Sequence, residues 1–276
     1  MKPLFNWVGG KNRSCKKICS LFPPHSVYVE PYFGAGSVFF HKDPVRVEVI
    51  NDIDQDVYNF YKTLRDPDKY SKLLHMIEFT QYSRKLYKES YEILKTSEFD
   101  IEKAWAFYIR VTQGYGARLQ DNYTWCAGTT VSRPKVVLEQ KSRLQEAHTR
   151  LMGAYIEEAK DAIEVIKKWD SPNTLFYLDP PYVQSSRTQH RLYRKETTEA
   201  HHRDLVDLLS DVKGYVMLSG YDNDYYASMN WTKVKRALTS SLTGKSDRVN
   251  SGTNEFLWLN PKSTIYLKEN DIDINT

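Results

Sequence analysis

Apolar and polar positions along this chain repeat in two rhythms, and the switch between them outlines the fold. Val27-Tyr28-Val29-Glu30-Pro31-Tyr32-Phe33 is a β-branched and aromatic run closed by a glycine turn, and Val45 to Ile50 alternates Val, Arg, Val, Glu, Val, Ile. Both runs predict strands. Ser37 to Lys42 fits a short helix between them. From Ile53 the apolar positions Ile53, Val57, Phe60, Tyr61 and Leu64 recur at helical spacing, and Pro67 ends that helix. Strand, turn, helix, strand and helix in this order require a parallel sheet with crossover helices.

Residues from about 68 to 152 abandon that order. Lys69–Phe79, Arg84–Thr96, Ile101–Thr112 and Leu138–Leu151 read as helices around a Gly- and polar-rich stretch from Gln113 to Pro134. Alternation then resumes. Ala162, Ile163, Val165, Ile166 and Trp169 form a helix face, Thr174–Leu178 a buried strand, Leu205, Leu208, Leu209 and Val212 a helix, and Tyr215–Leu218 a strand. Trp231–Leu238, Phe256–Leu259 and Thr264–Leu267 read as late strands that include a hairpin. The expected architecture is α/β: a sheet domain from 1–66 and 153–276, interrupted by a mostly helical insertion from 67–152.

Composition changes this picture little. The chain has 276 residues, 41% hydrophobic, with 39 Lys and Arg against 35 Asp and Glu. That is ordinary for a globular protein, and a balance of +4 is too mild to name a nucleic-acid partner. No apolar run reaches the roughly 18 residues of a membrane span, and the first residues lack the plan of a secretory signal. Three cysteines, Cys15, Cys19 and Cys126, form neither a disulfide framework nor a metal-ligand pattern. The expectation is a cytoplasmic protein with reduced thiols, no metal and no membrane contact.

Candidate chemistry begins at Phe33-Gly34-Ala35-Gly36-Ser37, between a strand and a helix. Glycines there let the backbone approach a ligand. Asp52 closes the second strand 18 residues after Gly34, where an acid can accept from ribose hydroxyls. By itself the pattern fits a tight turn as well as a nucleotide site. A dinucleotide turn wants a third Gly or Ala where this chain has Phe39, which disfavours an NAD oxidoreductase. The second feature is Asp179-Pro180-Pro181-Tyr182, directly after the strand Leu175–Leu178. Its plain reading is a rigid exit loop. Its chemical reading is a set of carbonyls with restricted direction, an acid, and an aromatic ring on which a planar base can stack.

Together, Glu30-Pro31-Tyr32-Phe33-Gly34-Ala35-Gly36-Ser37-Val38-Phe39 and the Asp179–Tyr182 tetrad resemble the Dam-like adenine-specific DNA methyltransferases. Phe5-Asn6-Trp7-Val8-Gly9-Gly10-Lys11 is similar to that family's opening motif, and Asn51-Asp52-Ile53-Asp54 to its acid after the second strand. Leu218-Ser219-Gly220-Tyr221-Asp222 and Glu255-Phe256-Leu257-Trp258-Leu259-Asn260-Pro261 are similar to its later segments. The resemblance spans nearly the whole chain in order. It implies a Rossmann-like methyltransferase sheet with an inserted DNA-recognition domain, S-adenosylmethionine as donor, and methylation of the N6 amine of a flipped adenine in double-stranded DNA, as in restriction–modification. Carried over, Trp7, Gly10 and Lys11 enclose the donor, with Phe33, Gly34 and Gly36 along its methionine part. Asp52 takes the ribose, and Asp179, Pro180 and Tyr182 meet donor and target base. The rivals are the same fold acting on cytosine amines, RNA adenines or a protein glutamine, and a non-catalytic DNA-binding relative. A monomer or weak dimer is expected.

For DNA reading, Arg110–Arg118 occupies the place where relatives carry a hairpin. GATC-methylating members usually show an aromatic–Asn–Gly step followed by Arg; here the step is Thr112-Gln113-Gly114 and Arg118 falls one place late. Gln113 and Arg118 are expected to read base edges and Tyr115 to wedge into the flipped gap, at an adenine-containing site. Three runs are more basic than the whole: 131–150, 183–203 and 233–248, with five Lys or Arg each against two, two and one acids. Each alone reads as a solvated face. The second follows the tetrad directly, so Arg187 and Arg191 are expected to reach phosphates.

Overall fold

The protein is described by a computed structural model covering residues 1–95, 98, 101–117, 119, 124–128, 131–182, 197–235 and 255–273. In chain order the elements are α1 (Cys15–Ser20), β1 (Val27–Glu30), α2 (Ser37–His41), β2 (Val47–Ile50), α3 (Gln55–Arg65), α4 (Pro67–Glu78), α5 (Arg84–Leu94) and α6 (Ile101–Gln113). A 3-10 turn at Tyr115–Ala117 follows, then α7 (Arg133–Lys141), α8 (Leu144–Met152), β3 (Tyr155–Ile156), α9 (Ala162–Trp169), β4 (Thr174–Leu178) and α10 (Glu199–Leu209). The chain ends with β5 (Tyr215–Tyr221), α11 (Asp224–Ala227), β6 (Thr232–Lys235), β7 (Glu255–Leu259) and α12 (Pro261–Glu269).

The strands form one seven-stranded sheet in the order β3-β2-β1-β4-β5-β7-β6. Strands β3, β2, β1, β4 and β5 run parallel, and β7 lies antiparallel between β5 and β6. All five residues of β4 are buried, as a central parallel strand with both faces covered requires. Strand β1 pairs with β2 on one side and β4 on the other, Val29 standing opposite both Val49 and Phe176. The chain leaves β1 toward one edge of the sheet and returns beside it as β4. That reversal opens a crevice at the carboxyl ends of β1 and β4, where open α/β sheets bind ligands.

Two apolar clusters sandwich the sheet. One joins Val29, Phe176, Leu178, Leu205 and Trp258; the other joins Phe5, Phe39, Phe60, Phe107, Leu144 and Tyr177. The second runs without a break from the sheet into the helices between β2 and β3. Phe107 of α6 lies 5.5 Å from Phe5 and 5.4 Å from Phe60, ring centroid to centroid. Phe39, whose bulk set the glycine turn apart from a dinucleotide fold, is fully buried against Phe33 and Phe40, and the Arg150 guanidinium covers its ring at 3.9 Å.

Several elements differ from expectation. Thr264–Leu267 is part of α12 and not a strand: Asn260 caps the helix by accepting from Ser263 N–H, and Pro261 sits in its first turn. That Asn-Pro start outweighs the β propensity of Thr-Ile-Tyr-Leu. The helix expected over Leu138–Leu151 is two helices, α7 and α8, broken where the Ser142 hydroxyl bonds back to Glu139 O at 2.8 Å and Arg143 turns to donate to Pro3 O at 3.0 Å. Strand β1 stops at Glu30, before the proline that cannot donate to the ladder. The two-residue β3 carries too few residues for a periodic signal.

Candidate active site

The glycine turn after β1 is built by contact. Gly34 has φ +49°, and a Cβ on it would stand 2.7 Å from Cδ1 and Nε1 of the Trp7 indole. Gly36 has φ +62°, and a Cβ there would enter the Phe33 ring. Both positions therefore need glycine for conformation and for space. The Gly34 N–H donates to Asp52 Oδ2 at 2.7 Å, and Asp54 N–H to Asp52 Oδ1 at 2.9 Å, which ties the end of β2 to the turn. Asn51 extends the same brace by donating to Pro31 O at 3.1 Å and Lys160 O at 3.0 Å. Trp7, half-buried, thus closes over the turn, and the Gly10 N–H donates to Trp7 O at 3.0 Å. The Phe33 side chain joins the aromatic core, 4.8 Å from Tyr61, so only its backbone belongs to the turn surface.

Asp179 leaves the carboxyl end of β4, adjacent to that turn. Its carboxylate, with the side chain 19% exposed, takes the Lys11 ammonium on both oxygens at 2.6 Å. Lys11 is only 3% exposed. Its remaining acceptors are Gly9 O at 2.8 Å and the Glu255 carboxylate at 3.3 Å. The Tyr182 hydroxyl donates to Glu255 Oε1 and lies 3.4 Å from Asp179 Oδ1. Its ring is 7% exposed, lies edge-to-face with Tyr221 at 4.6 Å, and has the Lys11 ammonium 5.2 Å from its centroid. Register places the last partner, since Tyr221 stands opposite Glu255 in the β5/β7 pair. A cluster of one cation, two carboxylates and a phenol thus forms from segments 168 and 73 residues apart in sequence.

The exit loop is held from behind. Thr197 Oγ1 donates to Pro181 O at 2.7 Å and lies 2.9 Å from His202 Nε2. A hydroxyl that donates to a carbonyl is left to accept from the imidazole, so His202 carries its proton on Nε2 and Nδ1 takes the Tyr226 hydroxyl at 2.9 Å.

Glu30, at the end of β1, is buried beside this cluster, and burial pushes its carboxyl from 4.5 up to about 8. A hydrogen bond from the Tyr28 hydroxyl at 2.7 Å opposes the shift, and the nearby Asp179 charge reinforces it. Between pH 4.5 and about 8 the unfolded chain has released a proton that the folded chain retains, so this group's contribution to stability falls as pH rises. Glu30→Gln removes the titration. Its Tm is expected to exceed that of the parent by a few degrees at pH 8 and by least at pH 4.5, read by calorimetry across that window.

Of the residues expected to read DNA, Gln113 is corrected. It is 1% exposed, its Oε1 accepts from Ser83 N–H at 3.0 Å, and its Nε2 donates to Gln81 O at 2.9 Å. Both amide groups brace the segment that precedes α5, so no base edge meets this side chain in this conformation. Tyr115 is 45% exposed, beside an isolated antiparallel bridge between Gly114 and Trp125. Arg118, Arg187 and Arg191 lie outside the described residues, as does most of the second and third basic runs. In the first run, Lys141 donates to Glu78 O and Thr80 O, Arg143 to Pro3 O, and Arg150 to Glu48. These three partly buried cations tie α7 to α4, the break between α7 and α8 to the leading segment, and α8 to β2.

Sequence reasoning assigned Lys11 to the donor alone and gave Glu255, Thr197 and His202 no role. One signal was legible for Glu255: a carboxylate at the head of the otherwise apolar strand Glu-Phe-Leu-Trp-Leu. Among the described residues no group of three or more His, Cys, Asp or Glu is placed to hold a metal ion, and no helix is long and apolar enough to cross a membrane.

A seven-stranded sheet with its last pairs antiparallel, a glycine turn after β1 and an Asp-Pro-Pro-Tyr loop after β4 define a methyltransferase of Rossmann-like fold. The family model for D12 class N6 adenine-specific DNA methyltransferases matches residues 7–246, and the chain belongs to that family. It is similar to the type II methyltransferase M1.LlaDCHI of Lactococcus lactis subsp. cremoris, 24% identical over 89% of this chain and 92% of the relative. The DNA adenine methylase of Salmonella typhi is 25% identical, and that of Escherichia coli K12 is 23% identical, each over 87% of this chain and 90% of the relative. Family membership makes this an adenine-specific DNA methyltransferase that acts at N6 and draws on a methyl donor.

Proposed function

We propose that the donor is S-adenosylmethionine, held along the β1 turn, and that Asp179 and Pro180 receive the amine of an adenine flipped out of duplex DNA. The observation that carries this reading is the position of Asp179: the carboxyl end of β4, beside the turn that closes β1, at the crevice where the sheet changes direction. The residues around the turn fit such a donor. The Trp7 indole packs on the Gly34–Gly36 turn, and Asp52 is pinned beside it at the end of β2, where a carboxylate suits a ribose.

Bound, the donor supplies a sulfonium methyl already activated toward nucleophiles. The chain must supply the other half, because the adenine amine is a poor nucleophile whose lone pair delocalises into the ring. Hydrogen bonds from the amine to the Asp179 carboxylate and the Pro180 carbonyl draw the nitrogen toward a pyramidal geometry and aim its lone pair. The carboxylate also offsets the positive charge that grows on nitrogen. Bracing of Pro181 by Thr197 and His202 keeps that loop fixed during the step. Tyr182, buried in this structure, offers a ring face to the base once the base displaces its cover, which recovers part of the few kcal/mol lost on flipping. The helices from 67–152, with the exposed Tyr115, serve target recognition, and the enzyme works as a monomer or weak dimer in the cytoplasm.

Expression in a methylation-free host, followed by single-molecule sequencing of its DNA, tests the reading. The expected result is 6-methyladenine at one short adenine-containing motif. Good expression with no modified adenine overturns it.

A further inference from the structure

Lys11 presents a difficulty to the reaction. An ammonium has three N–H donors, and here they face Gly9 O, Asp179 and Glu255 at 2.8, 2.6 and 3.3 Å. Both Asp179 oxygens are engaged by this cation. An adenine amine that donates to Asp179 competes with Lys11 for these oxygens and draws the carboxylate away from it, and Lys11, 3% exposed, is nearly closed to the solvent that would replace what it yields. A buried cation deprived of its counter-charge is expensive.

Glu255 resolves this. Its Oε1 is within ion-pair reach of Lys11, and a movement of roughly half an ångström makes that contact a charge-assisted hydrogen bond of ~2.8 Å. The same oxygen accepts from the Tyr182 hydroxyl, so it is anchored from the opposite side. It sits at the start of β7, paired with the end of β5, where backbone hydrogen bonds leave it little freedom.

We infer that Glu255 is a positioning residue for methyl transfer: it takes over the Lys11 ammonium as Asp179 turns to the adenine amine, and through Tyr182 it sets the ring that meets the base. The inference rests on Asp179 being the amine acceptor. It differs from a structural role in where its loss is felt. Binding of duplex and donor precedes the hand-over, whereas the chemical step requires it.

The test is single-turnover and steady-state methylation of a target duplex by the full chain and by the Glu255→Gln, Glu255→Asp and Tyr182→Phe variants. Glu255→Gln keeps an acceptor for Tyr182 but removes the charge. It is expected to lower the single-turnover rate on the order of 10- to 100-fold, with KM for DNA changed less than about 3-fold. Glu255→Asp should recover part of that loss, and Tyr182→Phe should lose less than Glu255→Gln. A parent-like rate in Glu255→Gln overturns the inference, as does a Tyr182→Phe loss equal to that of Glu255→Gln. Should Glu255→Gln fail to fold, the unmodified enzyme decides, crystallised with target duplex and S-adenosylhomocysteine. Lys11 drawn to hydrogen-bond distance of Glu255, with one Asp179 oxygen released, supports the hand-over; Lys11 still on both Asp179 oxygens overturns it. Asp179→Ala is assayed alongside. A parent-like rate there fails the site reading itself, whereas a dead Asp179→Ala beside a parent-like Glu255→Gln fails only the role of Glu255.

Discussion

Asp179→Ala is expected to lower methyl transfer at least about 1,000-fold while duplex affinity stays within a few-fold of the parent. Loss of one preorganised group at a reacting centre typically has effects of ~100- to 1,000-fold, and this group both aims the nucleophile and stabilises its growing charge. The variant should fold, because Lys11 retains Gly9 O and the Glu255 carboxylate as partners. Asp179→Asn is the sharper version: it preserves shape and tests charge. Incorporation of labelled methyl groups gives the rate and a mobility-shift titration gives Kd. Turnover near the parent's in both variants would remove Asp179 from the reaction.

Lys11→Met is expected to have the largest effect on stability. It leaves the Asp179 and Glu255 carboxylates facing each other in a largely buried cluster, with the Tyr182 hydroxyl between them. Breaking a buried pair by removing one partner typically costs about 3–5 kcal/mol, which for a chain of this size lowers Tm by roughly 10 °C. Methyl transfer should be lost as well. The double variant Lys11→Met/Glu255→Gln removes one of the two stranded carboxylates along with the cation, and with it their mutual repulsion, so it should regain part of the Tm but none of the activity. A Lys11→Met protein as stable as the parent would show that the ion cluster contributes nothing to the fold. Restored activity in the double variant would show that the cation is not needed for the chemistry.

These expectations draw on features that differ in how openly the sequence displays them. The strands β1, β2, β4 and β5 were legible because each is a short run of β-branched and aromatic residues bounded by turn residues. Helices α3 and α9 were legible from apolar spacing, and Asp54 and Asp161 confirm them as N-caps. The α12 segment misled because three consecutive residues of high β propensity hid an Asn-Pro helix start. Gln113 misled in another way. A polar residue next to a glycine in a polar stretch resembles a surface reader, and only packing reveals that its amide is satisfied by Ser83 and Gln81. The first basic run misled similarly, since charge counts do not distinguish Arg150 bound to Glu48 from an arginine facing solvent.

By itself the sequence determined the class of fold, the glycine turn, the Asp-Pro-Pro-Tyr loop and, through the resemblance these carry, the chemistry. All of these are local: a turn that needs glycine or a loop stiffened by proline is written in adjacent residues, because short-range sterics decide it. Tertiary structure alone decided that Lys11, Asp179, Tyr182 and Glu255 share one ion cluster and that Thr197 and His202 brace its loop. Those partners come from a leading segment, the exit of β4, the approach to α10 and its first turn, and the start of β7. Strand order and register bring them within 3.5 Å of one another, and no periodicity along the chain records which strands will be neighbours.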